Sequence, residues 1–89
     1  IEDEYDKEID DIEVIKEDEY IVNGYVKLED LNELIGVSLE SEDFDTIGGF
    51  VIGILGNFPE VGEIIEYDHI KFIVEDINRN KIEKIRVMT

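Results

Sequence analysis

The sequence has no cysteine and no tryptophan, and only one proline, one histidine and one methionine in 89 residues. Without cysteine there is no disulfide, no thiolate metal site and no thiol nucleophile. The single histidine, His69, follows Asp68 in what reads as a tight turn between strands, where an exposed turn residue is the ordinary meaning. Apart from the tyrosines, the only hydroxyl side chains are Ser38, Ser41, Thr46 and Thr89. No nucleophile can be paired with a base and an orienting group, so no catalytic residue is assigned. Positive charge is equally scarce. Eight Lys and Arg stand against 25 Asp and Glu, a formal net charge of −17, and neither Lys nor Arg occurs between residues 28 and 70. Such a surface repels nucleic acid, anionic lipid and free nucleotides, and attracts cations or basic partner surfaces. A long apolar run is also missing. The uncharged stretch Thr46–Pro59 falls short of the about 20 residues needed to span a membrane. The acidic start, Ile1-Glu2-Asp3-Glu4, is the opposite of a basic targeting region, which makes a cytosolic setting the default.

An apolar fraction of 43% rules out wholesale disorder, and 89 residues leave room for one core. Residues 1–10 form an acidic approach in which Ile1, Tyr5 and Ile9 are spaced four apart. The segment reads as a linker or as the end of a preceding element, and residues 11–89 as the domain. Ile12–Lys16 and Glu19–Asn23 flank Glu17-Asp18 and predict a hairpin. Asn23-Gly24 marks a turn. Leu28, Leu31, Leu34 and Ile35 define one face of a two-turn helix, with Gly36 as its left-handed terminator. The loop from Val37 to Asp45 should tuck Val37, Leu39 and Phe44 beneath it.

Thr46 is placed to cap a second helix, and Pro59 to end it. On a helical wheel Ile47, Val51, Ile54, Leu55 and Phe58 share one side, while Gly49, Gly53 and Gly56 share the other. Glycine inside a helix costs about 1 kcal/mol relative to alanine, so the stripe needs a compensating neighbour. The first helix or the sheet is the simplest one, which would bury the helix on both faces. Glu63–Tyr67, Ile70–Asp76 and Lys81–Met88 predict three further strands. In the last, a β-bulge near Glu83-Lys84 would return both Ile82 and Ile85 to the core face. The order ββααβββ predicts an α+β domain, two helices on a mainly antiparallel sheet of about five strands.

Two site candidates remain. Thr46, Gly48 and Gly49 at the start of the second helix could cradle a phosphate of a nucleotide or flavin. They lack a P-loop lysine and the dinucleotide glycine spacing, and close backbone packing explains them better. Glu40, Glu42, Asp43 and Asp45 crowd one loop, and Glu2, Asp3, Glu4 and Asp6 crowd the start. Either group could hold Mg²⁺ or Ca²⁺ weakly, but neither has EF-hand spacing, and a solvated acidic surface is the commoner meaning.

Asn23-Gly24, Leu28-x-Asp30-Leu31-Asn32 and Gly36 resemble the opening of the CorC/HlyC transporter-associated domain. Asp45-Thr46-Ile47-Gly48-Gly49-x-Val51, followed by Gly56-x-x-Pro59-x-x-Gly62-Glu63, resembles its centre. Phe72-x-Val74, Asp76 and Ile82-x-x-Ile85-x-Val87 resemble its closing hairpin. Asn23 stands where the family often has Asp, and Asn57-Phe58 precedes Pro59. The resemblance covers about residues 11–88. It implies a non-catalytic accessory domain, on the cytoplasmic side of the membrane, of a hemolysin-like or Mg²⁺/Co²⁺ efflux protein. Its partners would be CBS modules and a membrane domain of the same polypeptide, or a second copy. Residues 1–10 would then be the end of a CBS module. The implied fold is similar to part of the FAD-binding vanillyl-alcohol-oxidase type. FAD enters only through that likeness, and no cofactor is expected.

Overall fold

The computed structural model describes residues 11–89, so the expectations for residues 1–10 lie outside the described residues. The element order is β1 (Ile12–Lys16), β2 (Glu19–Asn23), α1 (Leu28–Ile35), α2 (Ile47–Leu55), β3 (Ile64–Tyr67), β4 (Ile70–Asn78) and β5 (Lys81–Met88). The strands form one five-stranded sheet in the order β1-β2-β5-β4-β3, and every neighbouring pair is antiparallel. The chain therefore leaves the β1–β2 hairpin, crosses by way of both helices, and enters the far edge at β3.

Alternation along the strands decides which side is covered. Val22, Phe72, Val74, Ile85 and Val87 are fully buried and pack with Leu28, Leu31, Ile47, Phe50 and Val51 of the helices. The opposite face carries the cross-strand row Glu13, Ile21, Arg86, Ile73 and Ile64. Between Val74 and Ile77 the β4–β5 register shifts twice. Ile85 pairs with Val74, Lys84 with Asp76 and Ile82 with Ile77, so Glu75 is extra on β4 and Glu83 is extra on β5. The Glu83 irregularity leaves both Ile82 and Ile85 buried, as the broken alternation of β5 requires. The compensating one at Glu75 has no counterpart in the hydrophobic pattern.

α1 starts without a side-chain cap, but Glu29 and Asp30 complement the positive end of its dipole. It ends at Gly36, φ 74°, whose N–H reaches the Asn32 carbonyl at 2.9 Å. Leu28 and Leu31 are buried and Ile35 is half-buried. Leu34 departs from the expected buried face and lies 63% exposed.

α2 begins on the Thr46 cap and stops earlier than Pro59. Gly56 adopts φ 85° and returns its N–H to Ile52, which terminates the helix at Leu55. The Gly56 backbone conformation, which disfavours a side chain, wins over the proline three residues later. Burial is also one-ended. Ile47, Gly48, Phe50 and Val51 are buried, whereas Ile54 and Phe58 are partly exposed, so the helix is not hidden on both faces.

Candidate functional site

The start of α2 is held by a dense backbone lattice. Leu28 N–H donates to the Asp45 carbonyl at 2.7 Å, and Ile47 N–H to the Val26 carbonyl at 2.9 Å. Lys27 and Thr46 bridge between these bonds, tying the first turns of both helices together. Gly48 N–H donates to the Gly24 carbonyl at 2.9 Å, Gly49 N–H to the Thr46 hydroxyl at 3.2 Å, and Phe50 N–H to the Thr46 carbonyl at 2.8 Å. A phosphate cradle needs free amides at a helix start. Here the first four, those of Ile47, Gly48, Gly49 and Phe50, all donate to partners within the protein.

The glycines explain themselves by what faces them. A Cβ on Gly48 would stand 2.9 Å from the Gly24 carbonyl oxygen, the close backbone approach the sequence suggests. A Cβ on Gly49 or Gly53 would stand 2.7 Å from the Phe44 ring. The neighbour of the stripe is therefore neither α1 nor the sheet but a side chain of the connecting loop. A Cβ on Gly56 would meet nothing within 4 Å, so this glycine belongs to the stripe only on a wheel. The loop itself is pinned through Asn32, whose side chain donates to the Leu39 carbonyl at 2.8 Å and accepts from the Leu39 N–H at 2.9 Å. Leu39 is 2% exposed as a result.

This packing predicts a change of sign. Gly53→Ala should cost about 1–2 kcal/mol, because the new methyl collides with ring atoms of Phe44. In a Phe44→Ala background the collision is gone, and the better helix propensity of alanine should make the substitution neutral or stabilising by up to about 1 kcal/mol. Urea midpoints of the four proteins measure it. A similar loss in both backgrounds would show that Phe44 is not what the glycine accommodates.

Glu40, Glu42, Asp43 and Asp45 are exposed along the same loop. Glu40, Glu42 and Asp45 line an open groove of about 700 Å³ shared with Lys27, Glu29 and Asn32. Among the described residues no three His, Asp or Glu side chains converge to hold a metal ion. The loop supplies negative potential without a shaped cage. His69 sits in the two-residue turn between β3 and β4, where both Asp68 (φ 52°) and His69 (φ 69°) take left-handed backbone angles. It is exposed, as the turn reading requires. Around it lies a second open groove of about 680 Å³, lined by both signs of charge, including Lys16, Asp18, Glu66 and Lys71.

Two polar clusters escape a reading of the sequence. Arg86, in mid-β5, donates from Nε to Glu75 at 2.7 Å and from a terminal nitrogen to Glu19. Glu75, then Glu19, raise its pKa further above the ordinary arginine value. A lone arginine between Ile85 and Val87 was the available signal, but its partners come from β2 and β4. In the second cluster Tyr25 donates its hydroxyl to Asp11, and the Asn23 amide donates to both. Asp11, accepting from the phenol, pushes the Tyr25 pKa up. Both clusters fasten strands and turns; neither forms an enclosed reactive centre. Among the described residues no polar or charged residue is buried and no buried side-chain polar atom lacks a partner.

Comparison with known proteins follows the same outline. The family model described as the transporter associated domain, CorC_HlyC, matches residues 13–89. The magnesium and cobalt efflux protein CorC of Escherichia coli K12 is 36% identical over 88 residues, covering 98% of this chain and 30% of that protein. The chain thus spans about a third of the length of such relatives or less. Among solved structures, the CorC-associated region from Neisseria meningitidis MC58 superposes with a TM-score of 0.81 at 27% identity, covering 88% of this chain and 96% of that one. A hemolysin domain from Enterococcus faecalis V583 gives 0.80 at 29% identity, with 88% and 95% covered.

Proposed function

Because this chain belongs to the CorC/HlyC transporter-associated domain family, we propose that it is a non-catalytic accessory domain of a longer protein, modulating divalent-cation efflux. The observation that carries the reading is the family match over residues 13–89, together with the small share of the cation-efflux relative that the chain spans. A domain that is one part of a larger transport protein acts through its surfaces on the other parts. The site geometry supports this. The α2 amides that could hold a phosphate are engaged, and the acidic loop presents carboxylates to solvent. No helix among the described residues is long and apolar enough to cross a membrane. The domain would sit on the cytoplasmic side, against CBS modules and the membrane domain of its own polypeptide, and would use no cofactor of its own.

The test is removal of the segment corresponding to residues 13–89 from the parent, followed by measurement of Mg²⁺ and Co²⁺ efflux at matched membrane abundance. Coupling between sites of this kind changes an equilibrium by about fivefold or more, so the efflux rate or its cation dependence should shift on that scale. Unaltered efflux would overturn the reading.

A further inference from the structure

The nine large apolar side chains left exposed among the described residues are not scattered evenly. Five of them, Ile54, Phe58, Val61, Ile64 and Tyr67, fall between the end of α2 and the end of β3. They flank the outer edge of β3, which no other described strand covers. Phe50 meets the Tyr67 ring edge-on at 5.2 Å, which brings the exposed end of α2 toward β3, with Ile54 one turn beyond Phe50. Val61 stands in the turn leading into the strand, and Ile64 is on the sheet face opposite the helices, 57% exposed.

The two outer strands differ in how they are protected. β1 has an irregular register between Val14 and Lys16 and carries a lysine at its end, both of which discourage added strands. β3 pairs regularly with β4 from Ile64–Ile73 to Tyr67–Ile70. Val74 N–H donates to the Glu63 carbonyl at 3.0 Å. Gly62 N–H donates to the Val74 carbonyl at 2.7 Å while Glu63 N–H turns to the Glu60 carbonyl at 3.1 Å, so the ladder is irregular just before β3. From the two-residue turn at Asp68-His69, the alternation of an antiparallel ladder sends the backbone groups of Ile65 and Tyr67 inward, together with the Glu63 carbonyl. Those of Ile64 and Glu66 then point away from the sheet. A sheet edge with unpaired backbone groups among the described strands, bordered by apolar side chains, is a template for another strand.

Charge selects the occupant. Glu60, Glu63, Glu66 and Asp68 border this edge, and Lys71, opposite Glu66 on β4, is the one Lys or Arg in the stretch 60–71. A second copy pairing through β3 would gather two sets of these carboxylates along one seam with little positive charge to offset them, which is unfavourable. We propose that the β3 edge is a docking site for one extended polypeptide segment, basic and with alternating aliphatic side chains, which adds to the sheet as a sixth strand. The aliphatic side chains lie against Tyr67, Phe58 and Ile54, and the lysines or arginines answer the carboxylates. This deepens the accessory-domain reading and rests on it for the source of the segment, the parent polypeptide outside this chain.

The probe is a synthetic octapeptide alternating lysine and valine, titrated into the isotopically labelled 89-residue chain. Amides of Ile64 and Glu66 should shift on binding and exchange with solvent about tenfold more slowly. A peptide alternating glutamate and valine should not bind, nor should a lysine–valine peptide whose backbone donors are removed by N-methylation. Ile64→Lys changes an exposed position and should leave the circular dichroism intact while weakening binding about tenfold or more. Shifts spread evenly over the acidic surface, without protection at Ile64 and Glu66, would overturn the proposal. So would self-association in sedimentation that Ile64→Lys abolishes, because the occupant would then be a second copy. In the parent, Ile64→Lys should reproduce part of the effect of deleting the domain. If deletion alters efflux and Ile64→Lys does not, the edge fails and the accessory reading stands. If deletion alters nothing while the peptide still docks at β3, the accessory reading fails by itself.

Discussion

Gly24→Ala should destabilise this protein by about 3 kcal/mol or more, at or beyond the upper end of what overpacking normally costs. A methyl at this position would lie 2.0 Å from the Ile82 carbonyl oxygen and 3.0 Å from its carbon. Both are backbone atoms of β5, so no rotamer change can relieve the clash. The glycine also cannot retreat. Its N–H donates to the Glu83 carbonyl at 3.0 Å, and its own carbonyl accepts from Gly48 at 2.9 Å. Moving it would disturb β5 and the first turn of α2 together. Total stability of a domain this size is about 4–13 kcal/mol, so the loss is a large fraction of it. Gly36→Ala is the control. Gly36 has φ 74° but nothing within 4 Å of a new methyl, so only the left-handed backbone penalty of about 1 kcal/mol applies. Urea denaturation of the two variants separates steric contact from backbone conformation. Equal losses would mean that the approach of Gly24 to β5 is not what requires a glycine.

Phe72→Ala should cost about 3–5 kcal/mol, the usual range for truncating a fully buried phenylalanine. Phe72 is 0% exposed on β4, pairing with Ile65 on one side and Val87 on the other. Its ring meets Phe50 of α2 at 6.1 Å between centroids. Truncation therefore opens a cavity between the sheet and the helix that crosses it. Phe72→Leu keeps most of the apolar volume and should lose markedly less. The expected signature is a lower midpoint with an unchanged denaturant slope. A loss below about 1 kcal/mol would show that the helix packs elsewhere. In the parent protein, such a variant should lower abundance before it changes any transport property.

Turns and element order were legible because they depend on neighbours in the chain. Asn23-Gly24, Gly36 and Asp68-His69 announce themselves by residue type, and all three mark turns or ends in the fold. The broken alternation of Ile82, Ile85 and Val87 was enough to place an extra residue near Glu83-Lys84, and in the structure it is Glu83. The Thr46 cap followed from its position before an apolar run. Burial along the helices was less legible. Leu34 and Ile54 obey the same periodicity as their buried neighbours yet lie exposed, and Phe58 falls outside the helix because Gly56 ends it at Leu55. The identity of the residue filling the glycine stripe was not legible either. A wheel shows that a helix face is small; it does not say that Phe44 folds back onto it.

The sequence by itself determined the element types, their order, the turn glycines and the acidic character that limits the choice of partners. Those properties follow from local periodicity, turn chemistry and composition, which need no knowledge of the distant chain. Tertiary structure alone decided the strand order β1-β2-β5-β4-β3, and with it the position of β3 at the edge of the described sheet. It also brought Glu19 and Glu75 to Arg86, and gave each of the first α2 amides a partner within the protein. The physical reason is range. Strand partners are chosen by burial shared between residues far apart in sequence, and a period of two is the same whichever strand lies alongside.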